Sequence, residues 1–159
     1  MTNIAQIIEN YITSNIKKCA YECYTDGSCN NLSSNREGGA AYIVFRNGEE
    51  IHRRSKALVN TTNNRAEMLA IISAVNVCPV GAEITVYTDS KYAMCSFISR
   101  RPLHQIKANK DLVKLYRKVS MDKNVRFEWV KGHNGNIYNE MVDAMANGEY
   151  RRMKEALLV

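Results

Sequence analysis

The chain has 159 residues, of which 45% are hydrophobic and 24% charged, proportions that fit one globular domain rather than a disordered or fibrous protein. It has no apolar run long enough to span a membrane and no signal peptide, and its five cysteines are irregularly spaced, so we expect a cytoplasmic protein with free thiols and no membrane association. The net charge of +6 favours a polyanionic partner.

The first predicted element is an amphipathic helix at the N-terminus. Isoleucine and tyrosine side chains recur at helical spacing between Ile4 and Ile16. We therefore expect an N-terminal helical extension over residues 1–19 and a main domain over residues 20–159. The extension is predicted to dock on the domain or on a protein partner, and the protein itself is expected to be a monomer.

Three strands are predicted to open the main domain. The first covers residues 20–25, the second residues 38–45 and the third residues 50–59. The Asn47-Gly48 pair between the second and third strands is a strong hairpin signal. These strands are expected to be antiparallel neighbours.

Helices and strands alternate in the remainder of the chain. The predicted elements are a helix over residues 63–77, a strand over 83–87, a helix from Ser90 to Ile98, a helix over 107–119, a strand over 126–130 and a helix over 139–154. Hairpin strands followed by crossover helices indicate an α/β fold with one five-stranded mixed sheet and helices on both faces.

Positive charge is concentrated in one part of this sequence. Nine lysines and arginines lie between Arg100 and Arg126, against only two aspartates. Such a stretch is typical of a surface that contacts a phosphate backbone. A solvated helix face explains the same charges, and the charge pattern alone leaves both interpretations open.

Four acidic residues occupy separate local motifs along the chain. Asp26 and Asp89 follow the first and fourth predicted strands, and Glu67 and Asp143 lie on the first and last helices of the main domain. Because the ends of parallel strands open at the same edge of a sheet, we expect all four carboxylates to meet there. Taken singly, each acid is also explained as a turn, a helix cap or a solvated side chain.

Four carboxylates in one cleft repel each other unless a cation binds among them. Oxygen ligands without histidine or cysteine favour magnesium, with manganese as a substitute, over zinc. Two such ions activate a water and stabilise the leaving oxygen at phosphorus. The acids therefore predict a magnesium-dependent nuclease, with Gly27 allowing close backbone approach beside Asp26.

These motifs together resemble those of the type 1 ribonucleases H, which cut the RNA strand of RNA–DNA hybrids. The similarity extends from Ala20 to Arg151. The matching segments are Tyr24–Cys29, Thr61–Glu67, Tyr87–Ser90, Trp129–His133 and Asn139–Asp143. The resemblance implies a ribonuclease H-like fold, with residues 20–159 as its catalytic domain, and cleavage that leaves 5′-phosphate and 3′-hydroxyl ends largely independently of base sequence.

The resemblance also implies a role for individual residues. The four metal ligands would be Asp26, Glu67, Asp89 and Asp143, with Asp26 bridging two ions. His133 would assist proton transfer or product departure. The residues that would contact the hybrid are Cys29, Asn63, Asn64, Lys91 and Asn139. Neutral side chains such as Asn63 suit the reading of 2′-hydroxyl groups in a shallow minor groove.

Two segments depart from the pattern of this family, and the N-terminal helix from Ile4 to Ile16 is not part of the family's core. The turn from Asn30 to Gly39 lacks proline and is longer than usual, and the basic, tryptophan-bearing handle is reduced to Arg100–Ile106. These departures bear on substrate affinity rather than on chemistry. Two other hypotheses stay open: a transposase-, integrase- or exonuclease-type enzyme of the same superfamily, and a hybrid-binding module without catalysis.

Overall fold

The computed structural model describes residues 3–8, 20–132 and 134–158. Residues 4–8 are helical, in agreement with the start of the predicted N-terminal helix, whereas the remainder of that helix falls outside the described residues. Within the described ranges, no helix combines the length and hydropathy needed to cross a membrane.

One five-stranded mixed sheet forms the centre of the domain, as the sequence predicts. Its spatial order is β3-β2-β1-β4-β5, with antiparallel pairing of β1 to β2 and β2 to β3, and parallel pairing of β1 to β4 and β4 to β5. The strands are β1 (Ala20–Cys29), β2 (Gly38–Arg46), β3 (Glu49–Leu58), β4 (Glu83–Thr88) and β5 (Asn124–Trp129).

Helices cover both faces of this sheet. They are α1 (Asn63–Val77), α2 (Lys91–Ile98), α3 (Lys110–Val119) and α4 (Ile137–Ala156), with a short 3-10 turn at Leu103–Gln105. Residues of α1, α2 and α3, such as Met68, Phe97 and Leu112, share one core with Cys23 of β1, while Val142 of α4 packs with Tyr24. The adjacent residues Cys23 and Tyr24 therefore pack into cores on opposite faces of the sheet, because side chains alternate along a strand.

The first strand runs further than its sequence predicts. It continues through Asp26 to Cys29, because β2 remains its antiparallel partner, with Asp26 opposite Ala41. The prediction that the strand ends just before Asp26 is therefore wrong. The parallel pairing of β1 with β4 stops at Tyr24 and Tyr87. Beyond this point the two strands separate, and an opening forms at the topological switch of the sheet.

Capping side chains determine where the helices begin. Thr62 accepts a hydrogen bond from the Arg65 N–H at the start of α1, and Ser90 does so from the Ala93 N–H at the start of α2, both at 3.2 Å. The third helix begins at Lys110 instead of residue 107, because Asn109 adopts a left-handed conformation with φ of 53°.

The outer strand β3 is strongly charged. Glu50 and Arg53 form an ion pair at 2.8 Å on its surface. Five charged side chains lie along this single edge of the sheet: Glu49, Glu50, Arg53, Arg54 and Lys56, all exposed.

Candidate active site

Three carboxylates converge where β1 and β4 separate. Asp26 comes from β1, Glu67 from the second turn of α1, and Asp89 directly follows β4. One oxygen atom from each lies within 4.8 Å of the others. We call these three residues the carboxylate cluster. The structure thus brings together three of the four acids at one edge of the sheet.

A glycine determines how closely α1 approaches β1. A Cβ atom added to Gly27 would lie 2.2 Å from the backbone nitrogen of Glu67 and 2.3 Å from the carbonyl carbon of Ala66. No side chain fits in this space, because both neighbours are backbone atoms. The helix that carries Glu67 therefore lies directly against the strand that carries Asp26.

Burial and mutual repulsion perturb the carboxyl groups of this cluster. Asp26 is 6% exposed and Glu67 5% exposed. Burial, followed by the charges of Asp89 and Asp143, raises the pKa of Asp26 from 3.8 to about 8. Burial, followed by the charges of Asp26 and Asp89, raises the pKa of Glu67 well above its ordinary value. The backbone N–H of Gly27 acts in the opposite direction on both groups.

The donor set fits a divalent metal ion. The Oε2 atom of Glu67 is buried and has no hydrogen-bond partner among the described residues. An unsatisfied buried carboxylate oxygen is costly, and a cation in the cluster would satisfy it while removing the repulsion. Three hard oxygen ligands without sulfur or nitrogen suit an ion such as magnesium or manganese.

Asp143 lies beside the cluster rather than within it. It is half-buried on α4, and its charge and hydrogen bonding contribute to the raised pKa of Asp26. The side-chain amide of Asn147, one helical turn further on, donates a 2.8 Å hydrogen bond to Asp143 Oδ1. Asp143 therefore faces Asp26 but is also held by its own helix.

The segment that follows β5 contacts Asp89. The last backbone hydrogen bond of this region joins the Val130 N–H to the Thr88 carbonyl at 3.0 Å. Trp129 Nε1 donates a hydrogen bond to the backbone carbonyl of Asp89 at 3.1 Å. Gly132 lies so close that an added Cβ would be 2.7 Å from Asp89 Oδ2. The end of β5 and the loop after it thus cover one side of Asp89, which remains half-buried.

The residues expected to contact substrate occupy different environments. Asn63 and Asn64 are exposed at the start of α1, and Cys29 is half-buried with its thiol 3.5 Å from the Thr61 carbonyl. Lys91 is exposed, and its ammonium lies 4.4 Å from the centre of the Trp129 ring. Two of these residues lie at the start of the helix that carries Glu67, and Lys91 lies two residues after Asp89.

Asn139, the fifth residue expected to contact substrate, differs from these four. Asn139 is only 4% exposed, and within the described part of the chain its Oδ1 atom has no hydrogen-bond partner. Its backbone N–H donates to Asn136 Oδ1 at 3.1 Å, so Asn136 caps α4, and the helix starts at Ile137, two residues earlier than predicted. His133 lies outside the described residues.

The unusual turn after β1 is connected to the start of α1. The Asn60 N–H donates to the Asn35 carbonyl at 3.0 Å, and the Thr61 N–H donates to the Arg36 carbonyl at 3.2 Å. The Asn63 N–H donates to Asn31 Oδ1 at 3.3 Å. The added length of this turn therefore lies against the exposed asparagines of α1.

Sequence reasoning missed three residues that support the acids: Trp129, Gly132 and Asn147. Asp143 and Asn147 are four residues apart on a predicted helix, so their contact was readable from spacing. Trp129 belongs to a matching motif, but its position in a strand does not reveal that its indole bonds the Asp89 carbonyl. The proximity of Gly132 depends on the path of a loop and has no signal in the sequence.

The sequence is similar to those of known ribonucleases H. The family model for RNase H matches residues 18–151. A ribonuclease H of Orientia tsutsugamushi is 33% identical over 167 aligned positions that cover 98% of this chain and 94% of that protein. A ribonuclease H of Campylobacter jejuni is 38% identical over 79% of this chain and 87% of that protein.

Solved structures show the same architecture. The N-terminal RNase H domain of a Mycobacterium tuberculosis protein, crystallised as a fusion with maltose binding protein, superposes with a TM-score of 0.73 at 18% identity. The superposition covers 87% of this chain and 99% of that chain. At this low identity the likeness concerns the fold alone.

Proposed function

This chain belongs to the ribonuclease H family, and we propose on that basis that it is an endoribonuclease that hydrolyses the RNA strand of RNA–DNA hybrids. The observation that carries this proposal is the buried carboxylate cluster, whose oxygen atoms lie within 4.8 Å of one another. A carboxylate cluster in a chain of net charge +6 suits a metal-dependent reaction on a nucleic acid.

The cluster supplies the metal ligands, and Asp143 completes them from α4. The family depends on divalent metal ions, and we assign magnesium as the physiological ion, with two ions per site and manganese as a substitute. When bound, such ions supply a water nucleophile of lowered pKa and stabilise the departing oxygen. The products then carry 5′-phosphate and 3′-hydroxyl ends.

The side chains around the cluster hold the hybrid. Asn63 and Asn64 offer donors and acceptors at the exposed start of α1, where 2′-hydroxyl groups of the RNA strand can be recognised. Cys29, Lys91 and Asn139 are assigned further contacts with the hybrid. The cations between Arg100 and Arg126 contact phosphates without reading bases, so cleavage is largely independent of sequence.

Other parts of the proposal extend beyond the cluster. His133 is assigned to proton transfer or product departure. Residues 20–159 form the catalytic domain, and residues 1–19 form an extension suited to a protein partner. We expect a cytoplasmic monomer, consistent with the four free cysteines of the described residues, Cys23, Cys29, Cys78 and Cys95.

Cleavage of an end-labelled RNA–DNA hybrid in magnesium tests the proposed function. The wild type is compared with Asp26→Asn, on the hybrid and on matched RNA and DNA duplexes. We expect cutting of the hybrid RNA alone, and a loss of at least about 10³-fold in rate for the variant, in the upper range for removing one charge-stabilising group.

Product analysis, removal of the metal and a hybrid-binding assay complete this test. Terminal phosphate analysis of the products should detect 5′-phosphate, and a chelator should stop the reaction until magnesium is restored. Equal cutting of a DNA duplex would favour another nuclease of the superfamily. Tight hybrid binding by a wild type that cuts nothing would favour a binding module and contradict the proposal.

A further inference from the structure

We propose that Trp129 is a positioning residue for Asp89, and that its indole N–H fixes the backbone of this metal ligand and thereby sets the metal affinity of the carboxylate cluster. This inference rests on the proposed function, since it concerns the same site. Its physical basis is the 3.1 Å hydrogen bond from Trp129 Nε1 to the Asp89 carbonyl.

Asp89 directly follows the last residue of β4. The register of β4 with β5 ends at the pair Thr88 and Trp129. The next residue, Ser90, is already the cap of α2, and its side chain accepts from the Ala93 N–H. The carbonyl of Asp89 therefore lies between a strand and a helix, and the indole bonds it where the strand ladder has ended.

The indole is itself held in place. Lys91 places its ammonium 4.4 Å from the centre of the ring, within the range of a cation–π interaction. The Val130 N–H anchors the backbone next to Trp129 by donating to the Thr88 carbonyl at 3.0 Å. Because the backbone next to Trp129 is anchored to β4, the indole N–H can restrain the carbonyl of Asp89.

Tryptophan is more exposed here than a purely structural role requires. The side chain is 43% exposed, so much of the ring surface gains nothing from burial. Phe127, two residues earlier in the same strand, is half-buried and packs against the core, with its ring 6.4 Å from that of Phe97 and 6.1 Å from that of Tyr116. The hydrogen-bonding edge of Trp129 is thus the part that acts on the site.

The test separates the N–H group from the ring. Trp129→Phe keeps an aromatic face for Lys91 and removes the donor, whereas Phe127→Leu, two residues away in the same strand, perturbs the core without touching Asp89. Free Mn²⁺ is measured by electron paramagnetic resonance during titration of each intact protein, without substrate. Urea unfolding of the metal-free proteins reports their stability.

We expect Trp129→Phe to weaken Mn²⁺ binding about fivefold, the effect of one net hydrogen bond on an equilibrium. Phe127→Leu should lower stability and leave Mn²⁺ affinity within twofold of the wild type. In cleavage assays, Trp129→Phe should require a higher metal concentration for half-maximal rate, with an unchanged KM for the hybrid at saturating metal.

A spectroscopic measurement provides a second readout. Trp129 is the only tryptophan of the chain, so its emission should change when Mg²⁺ is added to the wild type and not when it is added to Asp89→Asn. Mn²⁺ affinity of Trp129→Phe within twofold of the wild type would overturn the inference. Because binding is measured without substrate, failure of hybrid cleavage would overturn the proposed function alone.

Discussion

Asp26 and Glu67 are placed by direct contact between the backbones of β1 and α1, whereas Asp89 and Asp143 are held by hydrogen bonds from the side chains of Trp129 and Asn147. The first pair is almost fully buried, and the second pair is partly open to solvent. One half of the site is therefore fixed by packing that admits no added atom, and the other half by individual polar contacts.

This difference has an energetic consequence. An atom added at the contact between β1 and α1 has a large cost, because neither element can move without breaking its own backbone hydrogen bonds. A side-chain hydrogen bond contributes about 1 kcal/mol and can be removed singly. We therefore expect substitutions to have large effects on the β1–α1 side and graded effects on the side of Asp89 and Asp143.

The largest effect is expected for Gly27→Ala. The new methyl group would lie 2.2 Å from the Glu67 nitrogen, and we expect a loss of about 3 kcal/mol in the free energy of unfolding, typical of severe overpacking. Urea unfolding measures this value. Gly148→Ala on α4, where an added Cβ meets nothing within 4 Å, should instead leave stability unchanged or raise it by up to about 1 kcal/mol.

The next effect concerns pH and the metal-free protein. The pKa of Asp26 is raised from 3.8 to about 8, so the folded state holds a proton that the unfolded state releases. The contribution of Asp26 to stability is thus fully present below about pH 4 and is lost as pH rises towards 8, by more than about 1.4 kcal/mol, the equivalent of one pKa unit.

Thermal melts between pH 4.5 and 8.5 in a chelator measure this dependence. Magnesium should raise the melting temperature most at the alkaline end, and Asp26→Asn should flatten the profile. The pKa of Asp111 is lowered, first by its hydrogen bonds with Arg65, so the loss of stability on its protonation occurs at a pH below the range of these melts. A metal-free melting temperature that rises with pH would contradict the burial of a repelling cluster.

A smaller effect is expected for Asn147→Ala. The substitution removes the 2.8 Å hydrogen bond to Asp143 Oδ1, and we expect about a fivefold lower cleavage rate at limiting magnesium. Asn124→Ala is the matched control, since it removes a 2.8 Å bond to Glu83 on the surface. If both variants cleave at the wild-type rate, the partly exposed half of the site does not depend on this contact.

The smallest effect is expected for Arg65→Met. Arg65 of α1 forms an ion pair with Asp111 at 2.6 Å, but the two side chains are 31% and 62% exposed, so the pair contributes at most about 1 kcal/mol. The loss should disappear in melts at high salt. Unchanged Mn²⁺ affinity would confirm that α1 is placed by β1, and weakened affinity would show that α3 contributes.

Much of this architecture was predictable from local patterns. Alternating residues and the Asn47-Gly48 turn indicated the hairpin strands, and helical spacing indicated α1 and α4. The position of Asp26 was predicted less well, because the end of β1 depends on its pairing with β2, a contact distant in the sequence. The start of α3 depends on the left-handed conformation of Asn109, which a helical pattern does not reveal.

The four acids were identified from their motifs, whereas the residues that contact them, Trp129, Gly132 and Asn147, were not. Gly27 stood out because it adjoins Asp26. The contact of Trp129 with Asp89 joins residues forty positions apart, and it exists only after β4 and β5 have paired. Such a contact follows from tertiary structure, and a single sequence does not encode it in any local pattern.

The charged outer strand β3 has a consequence for the protein in concentrated solution. An exposed strand edge offers unpaired backbone groups to the sheet of another molecule. Any such molecule would have to strip water from Arg53, Arg54 and Lys56 before its backbone could pair with this edge. The charges of β3, at the opposite edge of the sheet from β5, thus disfavour the pairing of this edge with a strand of another molecule.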